Sequence, residues 1–197
     1  MRVVVLTVDQ HGSQTQPDQV PTALEVLGAV PARLGFQRTA GDEFQGVLDE
    51  PAALPAALEP LLRADSWNIG IGVGEVETPL PDQARAGRGS AYVAAREAVT
   101  AAKSSPWRVR ASGPTDAVRA LESAVWLWAA LLARRTDRGW EVADLVDSGL
   151  TYDQAASRLG ISQSAVSQRA AAAGIAEGRR ARELVEFLTR TALEGDR

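Results

Sequence analysis

Gln163, Ser164, Ser167, Gln168 and Arg169 are the residues whose types and spacing point most directly to a chemistry. On a helix they occupy one outward face, while Val166 and Ala170, four apart, turn inward. Short hydroxyls and amides beside an arginine suit hydrogen bonding to base edges in a DNA major groove. The neighbouring residues must build that helix and fix its entry. Ser162 is placed to cap it. Upstream, Thr151 caps a shorter helix whose Ala155 and Leu159 share a face. Gly160 supplies the left-handed residue that ends this helix, and Ile161 fills the angle between the two. Over residues 150–182, Arg158, Arg169, Arg179, Arg180 and Arg182 face only Asp153 and Glu177. The local charge is therefore about +3, on a chain with a formal net charge of −4. Gln163, Ser164, Ser167 and Gln168 are expected at base edges, and Arg169, Arg179 and Arg180 at phosphates.

This stretch resembles the helix-turn-helix of bacterial regulators, especially the Gly-Ile-Ser-x-x-x-Val-Ser core of the sigma-factor-like versions. Gly160, Ile161, Ser162, Val166 and Ser167 carry the likeness. It implies double-stranded DNA as partner; the plainer alternative is a helical hairpin with a solvated face. Composition narrows the rest. The chain has 197 residues, enough for one large domain or two small ones. It has no Cys, which excludes disulfides and thiolate metal sites, and its single His argues against a histidine-rich zinc site. The richest apolar run, residues 126–133, is far too short to span a bilayer. No cleavage site follows the apolar N-terminal run. A cytoplasmic protein without a membrane partner is expected.

The elements follow from periodicity and punctuation. Residues 3–8 are apolar on both faces and predict a central strand covered on both sides. A helix is expected over residues 20–34, with Leu24, Leu27 and Val30 on one stripe. Short strands at 36–39 and 44–48 flank Ala40-Gly41-Asp42-Glu43 as a hairpin. A proline-started helix covers 51–62. Residues 67–76 alternate: Trp67, Ile69, Ile71 and Val73 face one way, Asn68, Gly70, Gly72 and Gly74 the other. A glycine-lined strand face admits a closely packed backbone. An alanine-rich helix at 88–103 and a strand at 107–111 complete this part, and Ser112-Gly113-Pro114 breaks the chain. The order predicts an α+β fold, a ferredoxin-like sandwich with an added unit and helices over one face of a mixed sheet. An all-α helix-turn-helix domain follows, giving domains 1–113 and 115–197.

Four segments of the first domain resemble class III nucleotide cyclases and GGDEF domains. They are Asp9-Gln10-His11-Gly12-Ser13, Ala40-Gly41-Asp42-Glu43-Phe44, Ile69 through Glu75, and Gly89 through Arg96. The resemblance implies a cyclase-like palm in which Asp9, Asp42 and Glu43 hold Mg²⁺ that bridges phosphates for in-line attack. It also implies nucleotide contacts from Arg38 and Arg96. Tyr92 stands where the cyclases have an Asn, and the hairpin has one glycine where GGDEF domains have two. Over the whole chain the architecture is similar to the SatD family, small bacterial proteins with a Gly-Asp-Glu-Phe-Gln segment and a C-terminal helix-turn-helix. Two readings follow. One is a transcriptional regulator whose degenerate cyclase-like domain senses a nucleotide or metal, or dimerises. The other is a metal-dependent nucleotidyl enzyme with a helical partner-binding module. Residues 115–135 predict a helix apolar over most of its circumference. Val118, Leu121, Val125, Trp128 and Leu132 form one stripe and Ala117, Ala124, Leu127 and Leu131 a second. The helix-turn-helix unit with the terminal helix can cover only one of them, and the other is expected to make a homodimer contact.

Overall fold

The computed structural model describes residues 1–195. Nine residues of β1, Arg2–Gln10, form the central strand of a five-stranded sheet in the order β2-β3-β1-β4-β5. β2 (Leu34–Ala40) and β3 (Glu43–Leu48) make the expected hairpin, and β3 runs antiparallel to β1. β4 (Trp67–Glu75) is antiparallel to the other side of β1, and β5 (Val109–Ser112) adds in parallel beyond it. The protein is therefore α+β with a mixed sheet. Eight helices accompany the sheet among the described residues.

The covering of the sheet corrects one expectation. The ferredoxin-like order predicts helices over one face, whereas residues 3–8 call for cover on both sides, and helices lie on both. Val4, Leu6 and Val8 of β1 and Ile69, Ile71 and Val73 of β4 belong to the core that includes α1 (Val20–Leu27) and α2 (Ala53–Ala64). Val3 and Val5 point the other way, into a smaller core with Ala91 and Ala95 of α3 (Ser90–Ala102). The cause lies in β4. A Cβ on Gly70 would strike the Ala95 carbonyl and Val99 amide, and one on Gly72 the Ala91 carbonyl and Ala95 amide. The glycine face is where the α3 backbone rests. A single 3-10 turn, Ala84–Ala86, lies between β4 and α3.

α1 is shorter than its apolar stripe predicts, ending at Leu27 instead of reaching residue 34. Gly28 weakens continuation, and Pro31 disfavours helical conformation at Val30 and supplies no N–H of its own. Leu34 must in any case be extended to pair with Val47.

After Pro114 the described chain is helical. α4 (Asp116–Leu132), α5 (Asp137–Asp147), α6 (Tyr152–Leu159), α7 (Gln163–Ala172) and α8 (Ile175–Glu194) follow in turn. α4 is seated on β5, where the Trp126 indole donates to the Val109 carbonyl at 2.7 Å. α8 lies against α4 and α2. Val118, Leu121, Val125, Trp128 and Leu132 are buried in one core that runs without interruption from the sheet residues to Val166, Ala170 and Val185. In the second α4 stripe Ala124 is also buried and Ala117 and Leu131 partly so, which leaves Leu127 at 73% exposure. No helix among the described residues is long and apolar enough to cross a membrane.

Candidate functional site

The α6–α7 corner is built by local signals that act in series. Thr151 Oγ1 accepts from the Gln154 amide at 3.3 Å, and Gln154 Oε1 accepts from the Thr151 amide at 2.9 Å, a reciprocal cap. Gly160 closes α6 in the left-handed region at φ 65°, ψ 33°. Ser162 Oγ then accepts from the Ala165 amide at 3.1 Å and starts α7. Ala155, Val166 and Ala170 are buried beneath the corner. Gln163, Ser164, Ser167 and Gln168 are all exposed on α7, and none has a side-chain hydrogen bond among the described residues. Their donors and acceptors are free for an external partner.

The arginines divide differently from their sequence spacing. Arg169 lies 3.9 Å from Glu141 of α5. Arg179 donates to Asp147 at 3.2 Å and to the Val146 carbonyl at 3.3 Å, so it ties α8 to α5. Arg180 pairs only with Glu183, one turn along its own helix, and stays exposed. Arg134, Arg138 and Arg158 are exposed and have no side-chain partner among the described residues. Only Arg158 entered the charge argument above. Arg134 and Arg138 flank Arg135 and the start of α5, outside the stretch in which the positive charge was counted.

The second set of residues surrounds the end of β1. Asp9 and Asp42 line one cleft of about 620 Å³, together with His11, Asn68, Lys103 and Arg108. Glu43 is the cross-strand partner of Asp9 on β3, so both face α3. Asp9 Oδ2 accepts from Asn68 Nδ2 at 3.1 Å and lies 3.1 Å from Lys103 Nζ. Glu43 accepts from Arg96 at 2.7 and 3.1 Å and from Thr39 Oγ1 at 2.6 Å. Asp9 and Glu43 thus each have a cation of their own, and among the described residues no three acidic or imidazole groups converge as a metal-binding cluster. The expected trio of Asp9, Asp42 and Glu43 is not assembled as one ligand set in this arrangement.

Arg38 and Arg96 are not brought together. Arg38 is opposite Phe44, which faces the α1–α2 core, whereas Arg96 reaches Glu43 from α3. Arg38 donates to Asp18 at 2.8 and 2.6 Å and to the Gly41 carbonyl at 2.9 Å, and it holds the Asp18 carboxyl below its ordinary pKa. Tyr92 buries its hydroxyl without a partner among the described residues, and burial raises its pKa.

Compared with family models, curated proteins and solved structures, the chain gives no match. Geometry must carry the functional reading. Sequence reasoning missed Lys103 and Asn68 as the partners of Asp9. Lys103 stands seven residues after Arg96, two helical turns along the same face, and Asn68 is the buried first residue of the glycine face.

Proposed function

We propose that this protein is a DNA-binding regulator, with a helix-turn-helix formed by α6 and α7 carried on a ferredoxin-like α+β unit. The observation that carries the reading is the α7 face. Gln163, Ser164, Ser167 and Gln168 are exposed and unbonded on a helix whose opposite face is locked into the core. Amides and hydroxyls so arranged match the donor and acceptor pattern of the major groove. Arg158, Arg180, Arg134 and Arg138 supply cations that can neutralise phosphates, whereas Arg179 serves the α5–α8 contact. The ferredoxin-like description is supported by the antiparallel order β4-β1-β3-β2, with β5 as an added edge strand. Binding of fluorescent genomic duplexes at low salt, followed by anisotropy, tests the reading. Affinity should fall steeply as salt rises because phosphate contacts release counterions. Absence of binding, or binding indifferent to salt, defeats it.

A second reading draws on the convergence of Asp9 and Asp42 in one cleft with Lys103 and Arg108. We infer a site for a nucleotide held chiefly by cations, with Mg²⁺ admitted only if Lys103 leaves Asp9. Calorimetry with ATP or GTP, with and without Mg²⁺, tests this directly. Turnover abolished by Asp42→Asn would favour a nucleotidyl enzyme, and a flat trace with both nucleotides removes the ligand.

A further inference from the structure

α2 belongs to the sheet layer, yet its outer face is gripped by the helical part of the chain. Arg63 donates to both oxygens of Asp144 on α5, at 2.7 and 3.0 Å, and its guanidinium lies 4.3 Å from the Trp140 ring centre. One turn earlier, Glu59 accepts from Arg182 of α8 and lies 3.8 Å from Arg135. Arg135 is the unusual member. Its side chain is only 3% exposed, and it lies over the same Trp140 ring at 4.6 Å. It donates through Nε to the Ala173 carbonyl at 2.8 Å and through Nη2 to the Gly174 carbonyl at 3.4 Å. Those carbonyls form the corner where α7 ends and α8 begins. A buried guanidinium fits the negative end of a helix, but it must have a carboxylate nearby to be held there.

We infer that Glu59 is a positioning residue for α7, fixing the α7–α8 corner against the sheet layer through Arg135 and Arg182. The inference rests on the DNA-binding reading for its functional consequence. α7 has its N-terminus set by Ser162 and its C-terminus set by Arg135, so its pitch depends on where Arg135 is held. Glu59 is 17% exposed and lies on α2, away from the α7 face, so it touches no DNA in this reading.

The sign of one substitution separates positioning from plain electrostatics. Removing a negative charge from a DNA-binding protein ordinarily tightens non-specific binding. Glu59→Gln should instead weaken DNA binding, by about tenfold, since loss of one network member is commonly worth about 1.4 kcal/mol. Glu183→Gln, which removes an exposed acid that pairs only with Arg180, is the control and should bind as well as wild type or better. Glu59→Asp keeps the charge and shortens the reach. It should lie between the two, and it serves if Glu59→Gln does not fold. Hydrogen exchange of residues 163–172 in the free protein is read alongside and should quicken in Glu59→Gln while α3 is unchanged. Equal or tighter DNA binding by folded Glu59 variants, with unchanged exchange in α7, overturns the inference. If wild-type protein binds no DNA, the functional reading falls; the exchange measurement still decides whether Glu59 holds α7.

Discussion

Gly72→Ala tests the packing that sets both the fold and the sheet-end cleft. The new Cβ would fall on the Ala91 carbonyl oxygen and on the amide nitrogen and Cα of Ala95. All of these are backbone atoms of α3, so no side-chain rotation relieves the collision. α3 must withdraw from the sheet, carrying Ala91 and Ala95 out of contact with Val3 and Val5, and moving Arg96 and Lys103 away from Glu43 and Asp9. Overpacking of a core typically costs about 1–3 kcal/mol, and a purely backbone obstacle belongs at the upper end, about 3 kcal/mol. For a chain of this length each kcal/mol moves the melting temperature by about 2–4 °C, so a fall of about 6–12 °C is expected. Gly35→Ala on β2 is the matched control. No heavy atom lies within 4 Å of its added Cβ, and an effect within about 0.5 kcal/mol is expected there. Thermal unfolding followed by circular dichroism and by tryptophan fluorescence gives both values. A Gly72→Ala melting temperature within about 2 °C of wild type would refute the claim that α3 rests on the glycine face.

Gln163→Ala and Gln168→Ala should leave the melting temperature unchanged, because neither side chain is bonded within the protein. Each should weaken binding to a selected duplex by about 1–3 kcal/mol with little change in salt dependence, measured by anisotropy; unaltered affinity in both would remove α7 as the reading helix. The Asp18 pKa is lowered first by its hydrogen bond from Arg38. A depressed carboxyl contributes stability above its unfolded pKa and loses it as pH falls through the folded value. The melting difference between wild type and Asp18→Asn should therefore be present at neutral pH and shrink below about pH 4; a difference that grows towards acid would contradict the assignment. Leu127 on α4, with Leu184 and Phe187 on α8, leaves apolar surface uncovered. If that surface makes the expected homodimer, light scattering should give a dimer mass for wild type and a monomer of unchanged stability for Leu127→Glu, and a monomeric wild type would sink it.

What was legible in the sequence was mostly local. Thr151 with Gln154, Gly160, and Ser162 act within a few residues of themselves, and each cap and corner forms where its own spacing requires. The order of strands and helices was legible for the same reason, since Gly41-Asp42 and Ser112-Gly113-Pro114 punctuate it. The covering of the sheet had two readings, one-face cover from the ferredoxin-like order and two-sided cover from residues 3–8, and the second is what forms. A strand apolar on both faces, as residues 3–8 are, already requires cover on both sides. Gly70, Gly72 and Gly74 then name the face that receives a helix, while the alanines of α3 alone do not say which side it takes.

The candidate sites were less legible because a charged residue's availability is decided by residues remote in sequence. Arg179 and Arg180 are adjacent and alike, but one reaches back to Asp147 on α5 and the other meets only Glu183 on its own helix. The cyclase resemblance implies Asp9 and Asp42, with Glu43, as metal ligands, yet Lys103 reaches Asp9 from the C-terminal end of α3 and Arg96 reaches Glu43 from its middle. The glycine face brings the α3 backbone onto the sheet, and with it the cations that neutralise those two carboxylates. By contrast the polar face of α7 needed no distant information to be recognised as free, because Val166 and Ala170 fix the inward direction and everything opposite them must face out. That asymmetry favours the α7 face over the sheet-end cleft as the functional surface. In the cleft Asp9 is already neutralised by Lys103, while the amides and hydroxyls of α7 are left to be satisfied from outside.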